Sequence, residues 1–260
     1  MPPFNSRTFY FLAVVLVFVL IFYAVSRLTS GEEAVVSPIT IESVEKASAR
    51  TVVEDASIGA EARSVKLDVP FFKQEYIRSC EEASLRMALA FYGIETNDME
   101  IVGRVGYDPR PLDRENNVWD DPNIMFVGSI DDPNKNGYGA FAPAIASAAK
   151  TFGRDAESYL GVSSQFLAEQ IYNGYPVIVW GFMSSPAKYF WNTKEGKEVV
   201  AYRGEHVRVV VGVFGSPSEP TGFLLHDPLT GEKNEYWSSE KLMTHMNTLG
   251  TLTNQAVVVR

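Results

Sequence analysis

The sequence has a single cysteine, Cys80, and only three histidines in 260 residues. One cysteine cannot form a disulfide within the chain, so an ordinary apolar core must stabilise the fold. The sequence also has no cluster of basic residues. Its 32 acidic side chains outnumber its 23 basic ones, and the formal net charge is −9. Because binding to phosphates requires a basic surface, this composition argues against a nucleic-acid partner.

One long apolar run is present near the N-terminus. Residues 9–25 contain no charged side chain, and at about 1.5 Å per residue the run just spans a bilayer core of about 30 Å once its two flanking residues are included. The sequence therefore predicts a short tail at residues 1–7 and a transmembrane signal anchor at residues 8–26. A cleaved signal peptide is the alternative, which the length of the run and the single preceding charge at Arg7 disfavour. A weak charge bias favours a C-terminal domain outside the cytoplasm.

The rest of the chain divides into a linker and one globular domain. Residues 27–64 lack aromatic side chains, which indicates a flexible linker. At residue 65 an alternating strand pattern begins, so we expect a domain at residues 65–260. Helices are predicted at residues 80–92, 143–152, 164–173 and 239–247, and strands at residues 177–180, 207–213 and 223–225. A helical half followed by a β half indicates an α+β fold, and residues 103–139 are expected to be irregular.

Cys80 lies at the predicted start of the first helix. Ser79 is typical of an N-cap, and Glu82 would complete a capping box with it. The positive end of the helix dipole favours a thiolate, which is the reactive form of cysteine. Gln74, six residues upstream, suits an oxyanion donor. The alternative is that Cys80 is simply a buried, inert cysteine.

A histidine and an aspartate are predicted to meet at neighbouring strand ends. His206 begins one strand and Asp227 ends another. If these strands pair as an antiparallel hairpin, the two side chains become neighbours, as an imidazole and its orienting carboxylate must be. His226 would point to the opposite face.

No metal or cofactor is expected. The segment around Asp132 matches the first half of a calcium loop, but Pro143 occupies the position that requires a bidentate glutamate. The cysteine and the histidines also lack zinc-ligand spacing.

At this point the sequence resembles the papain-like cysteine peptidases. It is most similar to the stand-alone peptidase C39-like branch of the family that includes double-glycine leader peptidases. The spacing from Cys80 to His206 fits the roughly 130 residues of papain-type enzymes. The matching pieces, in the order of the family, are Val69-Pro70-Phe71-Phe72-Lys73-Gln74, Cys80-Glu81-Glu82-Ala83-Ser84-Leu85, Asp121-Pro122-Asn123 with Phe126-Val127-Gly128, Gly137-Tyr138-Gly139, Pro176-Val177-Ile178-Val179-Trp180, Glu205-His206-Val207 and Asp227-Pro228.

The resemblance implies a fold and a catalytic site. Its helical half would carry Cys80 as the nucleophile, and its antiparallel β half would carry His206 as the general base and Asp227 as the orienting acid. Gln74 and the backbone N–H of Cys80 would bind the oxyanion. No ATP-binding or multi-span transporter region is seen, so a double-glycine leader is not expected as the substrate.

The sequence therefore favours a single-pass, membrane-anchored thiol hydrolase. It would cleave a peptide or isopeptide bond in a peptide or protein substrate through a Cys80 thioester. A catalytically silent module that binds peptide or cell-wall material and an acyl or peptidyl transferase stay open as alternatives. A separate transporter or cell-wall partner also stays open.

Overall fold

A computed structural model of the protein describes residues 50–52, 64–133, 137–247 and 252–260. The predicted tail and transmembrane anchor at residues 1–26 lie outside these residues, as does most of the predicted linker at residues 27–64. Within the described ranges, no helix is both long enough and apolar enough to cross a membrane. Residues 50–52 of the predicted linker form a strand that pairs with the first strand of the domain.

Five helices and eleven strands make up the described part of the chain. The helices are α1 (Cys80–Phe91), α2 (Asp98–Val105), α3 (Ala142–Thr151), α4 (Ser164–Tyr172) and α5 (Ser239–Asn247). The strands are β1 (Arg50–Val52), β2 (Ser64–Leu67), β3 (Tyr107–Asp108), β4 (Phe126–Gly128), β5 (Gly137–Gly139), β6 (Ala156–Tyr159), β7 (Val177–Asn192), β8 (Glu198–Gly215), β9 (Pro220–His226), β10 (Glu235–Ser238) and β11 (Ala256–Val259). The predicted α+β class is confirmed.

The main sheet is antiparallel and is built around β8. Its strands run in the order β1-β2-β8-β7-β11-β6, while β9 pairs with β8 and β10 pairs with β9. The β8–β9 pairing brings Val209 opposite His226 and Val210 opposite Leu225, which is the hairpin that the sequence predicts. A separate small sheet has the order β3-β4-β5. It lies in the region expected to be irregular, and α2, which was not predicted, precedes it.

Helix α1 is buried between the sheet and the other helices of its half. It contacts β8, β7, α2 and α3, because apolar side chains such as Leu85 and Leu89 leave it little polar face. The helix begins at Cys80 and is followed by Gly93 at φ +76°, as expected for a left-handed helix end.

The predicted capping box between Ser79 and Glu82 is wrong. The Ser79 hydroxyl instead donates a hydrogen bond of 2.6 Å to Asp98 Oδ2 on α2. Glu82 is fully buried, and neither of its carboxyl oxygens has a hydrogen-bond partner among the residues that the structure describes. A long-range contact from α2, which sequence spacing does not reveal, therefore replaces the local cap.

The apolar interior has two parts. The larger core lies between α1, α3, α4 and the main sheet. A smaller cluster is built around Trp119, Phe141 and Trp191, and Tyr138 and Tyr189 pack against it. The ring centroids of Tyr138 and Trp191 are 5.4 Å apart. This aromatic cluster packs β5, through Tyr138, against the C-terminal end of β7, through Tyr189 and Trp191.

Candidate active site

His206 and Asp227 meet where β8 and β9 approach each other. His206 Nε2 lies 2.8 Å from Asp227 Oδ1, and the two residues are only 2% and 1% exposed. The expectation that His206 begins a strand is wrong, because β8 begins at Glu198. The ladder between β8 and β9 nevertheless starts with Val209 opposite His226, which places His206 and Asp227 just beyond that end of the ladder. With Nε2 bound to the carboxylate, Nδ1 is the ring nitrogen available to accept a proton.

Asp227 is held as a carboxylate by four donors. Besides His206, Arg208 Nε donates to Oδ2 at 2.8 Å, and the amides of Leu229 and Thr230 donate to Oδ1 at 2.9 and 3.1 Å. Burial opposes the charge, but the His206 hydrogen bond and the charge of Arg208 outweigh it and hold the pKa of the Asp227 carboxyl well below its usual range. Burial lowers the pKa of His206 despite the Asp227 hydrogen bond, so the imidazole is neutral at rest.

Arg208 was missed by the sequence reasoning, although the sequence contains a signal for it. Residues at positions i and i+2 of a strand share one face, so Arg208 follows His206 on the side that faces Asp227. A charged residue within the otherwise apolar strand segment 207–213 is itself unusual. Arg208 is buried and its guanidinium carbon also lies 4.8 Å from the centroid of the Trp237 ring.

His226 faces away from this site, as its place in the strand predicts. Its Nε2 lies 3.1 Å from the carbonyl oxygen of Val69, and its Nδ1 accepts a hydrogen bond of 3.2 Å from the amide of Asn234. These two partners indicate a histidine with a structural part in the fold. His245, the third histidine, stacks on Phe182 at 4.4 Å between ring centroids.

Cys80 lies at the N-terminus of α1, against the strand that carries His206. Helix α1 packs against β8, and hydrogen bonding from the backbone of Val207, the residue after His206, opposes the rise in the pKa of the Cys80 thiol. The thiol itself donates to Glu81 Oε2 at 3.0 Å. Burial raises the pKa of the thiol well above its ordinary value, and the Glu81 carboxylate raises it further. The resting sulfur is therefore a neutral thiol.

Glu81 was also missed by the sequence reasoning, and no sequence signal identifies its role. Its Oε1 accepts a hydrogen bond of 2.9 Å from the amide of Ala140, which turns the carboxyl back towards Cys80. A Cβ atom at Gly139 would lie only 2.1 Å from Glu81 Oε1, so this position has room for glycine alone. Burial raises the pKa of Glu81, while its hydrogen bonds to Cys80 and Ala140 oppose that rise.

Gln74 is close to the N-terminus of α1, but its amide is engaged elsewhere. Its Nε2 donates to the carbonyl oxygens of Tyr76 and Ile77 at 2.8 and 3.0 Å. Both amide hydrogens are thus used, and Oε1 is buried with no partner among the described residues. One of these bonds must be released before Gln74 can donate to an oxyanion, so its oxyanion role stays a prediction.

The arrangement combines a neutral thiol, a neutral imidazole of fixed tautomer and an ionised aspartate. Such a set suits nucleophilic acyl transfer with proton exchange between sulfur and imidazole. Across the described ranges there is no group of three or more His, Cys, Asp or Glu side chains that could hold a metal ion.

A family model and one solved structure agree with this fold. The Peptidase_C39 like family model matches residues 66–256. The crystal structure of a putative C39-like peptidase from Bacillus anthracis is 25% identical, with a TM-score of 0.63, and the match covers 76% of this chain and 97% of that chain. The peptidase domain of Streptococcus ComA, a bifunctional ABC transporter involved in quorum sensing, is 20% identical over 72% of this chain and 95% of that chain, with a TM-score of 0.40. No curated protein shows a significant match.

Proposed function

Because this chain belongs to the peptidase C39-like family, we propose that it is a cysteine peptidase whose nucleophile is Cys80. The observation that carries the proposal is the 2.8 Å contact between His206 Nε2 and Asp227 Oδ1. This contact directs the basic Nδ1 away from the carboxylate, and β8, which carries His206, packs against α1, which begins at Cys80. The substrate is a peptide or protein.

The reaction proceeds through a thioester. The Cys80 proton passes to His206 Nδ1 as sulfur attacks the substrate carbonyl carbon. The tetrahedral intermediate then collapses, its C–N bond breaks, and His206 returns the proton to the leaving amine. Water attacks the thioester, gives its proton to His206 and releases the acid, and the proton returns to sulfur. The N–H of Cys80, which as the first helical amide has no acceptor within the helix, and a reoriented Gln74 stabilise the oxyanion.

The proposed enzyme is anchored in a membrane by residues 8–26, with its catalytic domain outside the cytoplasm. The support is the uncharged run at residues 9–25 and the weak charge bias around it. Expression of the full chain followed by membrane flotation and protease treatment of intact cells tests this part. Recovery of the chain in the soluble fraction, at full length, would overturn the anchor.

Detection of new peptide amino termini tests the hydrolytic activity. The full chain is incubated with a proteome-derived peptide mixture, and new termini are identified by mass spectrometry. Wild type and His226→Gln are expected to generate the same termini, whereas Cys80→Ala and His206→Gln generate none above background. His226 is a matched control because it is equally buried but hydrogen-bonds Val69 and Asn234 instead. Termini that persist in Cys80→Ala would refute Cys80 as the nucleophile.

A catalytically silent peptide-binding module is the second candidate. The observation that favours it is the resting hydrogen bond from the thiol to Glu81, together with the engagement of both Gln74 amide hydrogens. In that case no new termini would arise with any variant. If the thioester is instead passed to an amine, the third possibility, added amines would appear in the products as new amides.

A further inference from the structure

A cavity of about 390 Å³ opens beside the proposed active site. Its walls come from the segment before Cys80, from residues 112–119, from Pro133 and from strands β5, β7 and β8. We call it the arginine pocket and define it by six of its lining residues: Arg78, Arg114, Tyr138, Tyr189, Arg203 and Glu205. A volume of this size is sufficient for a side chain of a bound peptide.

A continuous series of contacts joins the arginine pocket to the Cys80 thiol. The thiol hydrogen-bonds Glu81, and Glu81 packs closely against Gly139 of β5. The hydroxyl of Tyr138, the residue before Gly139, donates a hydrogen bond to Glu205 Oε2. Glu205 immediately precedes His206 in β8. The pocket wall is therefore formed by direct neighbours of the catalytic residues.

The position of Arg78 is fixed by the backbone around it. Its Nη1 donates to the carbonyl oxygen of Ser129 at 3.4 Å. A Cβ atom at Gly137 would lie 2.1 Å from that same oxygen and 2.8 Å from Arg78 Cδ. Only glycine at this position allows the arginine to lie along β5, so the guanidinium is held in place before any ligand binds.

The charge of the pocket is opposite to that of the chain. The chain carries a net charge of −9, yet among the described residues the charged side chains that line this cavity are those of Arg78, Arg114, Arg203 and Glu205. Burial and the nearby Glu81 raise the pKa of Glu205 well above its usual value, which favours its neutral form. Guanidinium groups have donors and no acceptor, and a ligand that offers only acceptors matches them best.

We propose that the arginine pocket binds a carboxylate of the substrate, and that this enzyme therefore selects peptides with an acidic side chain near the cleaved bond. Charge-assisted hydrogen bonds from a planar guanidinium to a carboxylate are stronger and more directional than neutral ones. The inference rests on the proposed peptidase function for its link to cleavage, but the binding itself does not require a working thiol.

Binding is measured by calorimetry on full-length Cys80→Ala. The probes are hexapeptides of alanine, blocked at both ends, with one glutamate moved through the six positions, and matched peptides that carry glutamine instead. At one position, the glutamate peptide is expected to bind about 10-fold to 100-fold more tightly than its glutamine partner. The preference should weaken as salt concentration rises.

Arginine variants assign the preference to the pocket. Arg203→Gln, at an exposed position, and Arg78→Gln should each reduce the preference for glutamate at least several-fold. Arg104→Gln, on α2 outside the pocket, is the matched control and should leave it unchanged. Equal binding of the glutamate and glutamine peptides, or a preference that survives both pocket variants, would overturn the proposal.

Two further competition measurements identify the source of the carboxylate. Hexa-alanine with a free C-terminus tests a chain-end carboxylate, and inorganic phosphate tests a general anion. If either competes as strongly as the glutamate peptide, selection of an acidic side chain is refuted. Cleavage by wild type is scored separately: arginine-dependent binding without cleavage would defeat the peptidase proposal alone, and cleavage without acidic preference would defeat the pocket alone.

Discussion

Cys80 Sγ lies 3.0 Å from Glu81 Oε2 and donates its hydrogen to that oxygen. The nucleophile candidate is thus bound to a carboxyl of its own helix, with a pKa raised by burial and by the Glu81 charge. A reaction with His206 as the base requires the thiol to leave Glu81. The resting state is consequently one of low thiol reactivity.

Replacement of Glu81 by glutamine is expected to lower the pKa of the thiol. Glutamine keeps an oxygen for the Ala140 amide but removes the negative charge beside sulfur. The measurement is the rate of iodoacetamide alkylation of the sole cysteine against pH, read by intact mass. In wild type the midpoint should lie above the value of about 8.5 of an ordinary cysteine, and in Glu81→Gln it should move down.

Glu82→Gln provides the control for that experiment. Glu82 is buried on the same helix, but the Cys80 thiol hydrogen-bonds Glu81 and not Glu82, whose oxygens have no partner among the described residues. Its substitution should therefore shift the alkylation midpoint less than Glu81→Gln does. An unchanged or higher midpoint in Glu81→Gln would show that Glu81 does not hold the thiol proton.

Asp227→Asn is expected to reduce catalysis by about 10²-fold to 10⁴-fold. The uncharged asparagine side chain does not stabilise an imidazolium at His206, and the ion pair between Asp227 and Arg208 is lost. The pKa of His206 should be lower in the variant than in wild type, because in wild type the hydrogen bond to Asp227 raises it. Labelled-histidine NMR titration and kcat/KM on a cleaved peptide measure both effects. A pKa that rises in Asp227→Asn would contradict the assigned pairing.

Glu82→Gln is expected to stabilise the fold at neutral pH. Both carboxyl oxygens of Glu82 are buried without a partner among the described residues. Burial and, to a lesser extent, the charge of Glu81 raise the pKa of Glu82 well above its usual value. The folded state therefore keeps this proton to higher pH than the unfolded state does, and stability falls as pH rises from about 4.3 through the folded pKa.

The sign of this effect can be tested by thermal unfolding. The melting temperature of Glu82→Gln should exceed that of wild type by about 2–8 °C at pH 7. The difference should shrink towards pH 4, where the buried glutamate of wild type is uncharged, as the glutamine of the variant is at every pH. Glu95→Gln, at an exposed position, is the control and should have little effect. A difference that grows as pH falls would contradict the account.

Gly139→Ala is expected to damage both stability and the site. The added Cβ would lie 2.1 Å from Glu81 Oε1, at a backbone φ of +132° that side chains rarely adopt. The Glu81 carboxyl must then move away from the Ala140 amide. Gly103→Ala in α2 is the control, since nothing lies within 4 Å of its Cβ position, and it should be neutral or stabilising by about 0.5–1 kcal/mol. Equal melting temperatures for the two variants would refute the steric argument.

The sequence predicts those parts of the site that depend on regular secondary structure. Strand periodicity and an antiparallel hairpin are sufficient to bring His206 to Asp227 and to turn His226 away. Likewise, Ser79 as the N-cap position and Gly93 after the last turn correctly bound α1 and place Cys80 at its start, although the Ser79 side chain makes no cap hydrogen bond.

The missed parts depend on contacts between distant segments. The Ser79 hydroxyl binds Asp98 because α2 packs against α1, and helix α2 itself is short and contains Gly103, which weakens its pattern. Glu81 meets the thiol because the Ala140 amide, far along the chain, holds its carboxyl. Such contacts are set by tertiary packing, which spacing along one chain does not encode.

The most direct test of the central claim is the rate at which Cys80 reacts with a mixture of dipeptidyl acyloxymethyl ketones, followed by intact mass on the full chain. These probes require attack by sulfur on a peptide-like carbonyl. We predict one adduct per chain, on Cys80, formed equally fast in wild type and His226→Gln and at least about 100-fold more slowly in His206→Gln. Equal rates in wild type and His206→Gln would contradict it.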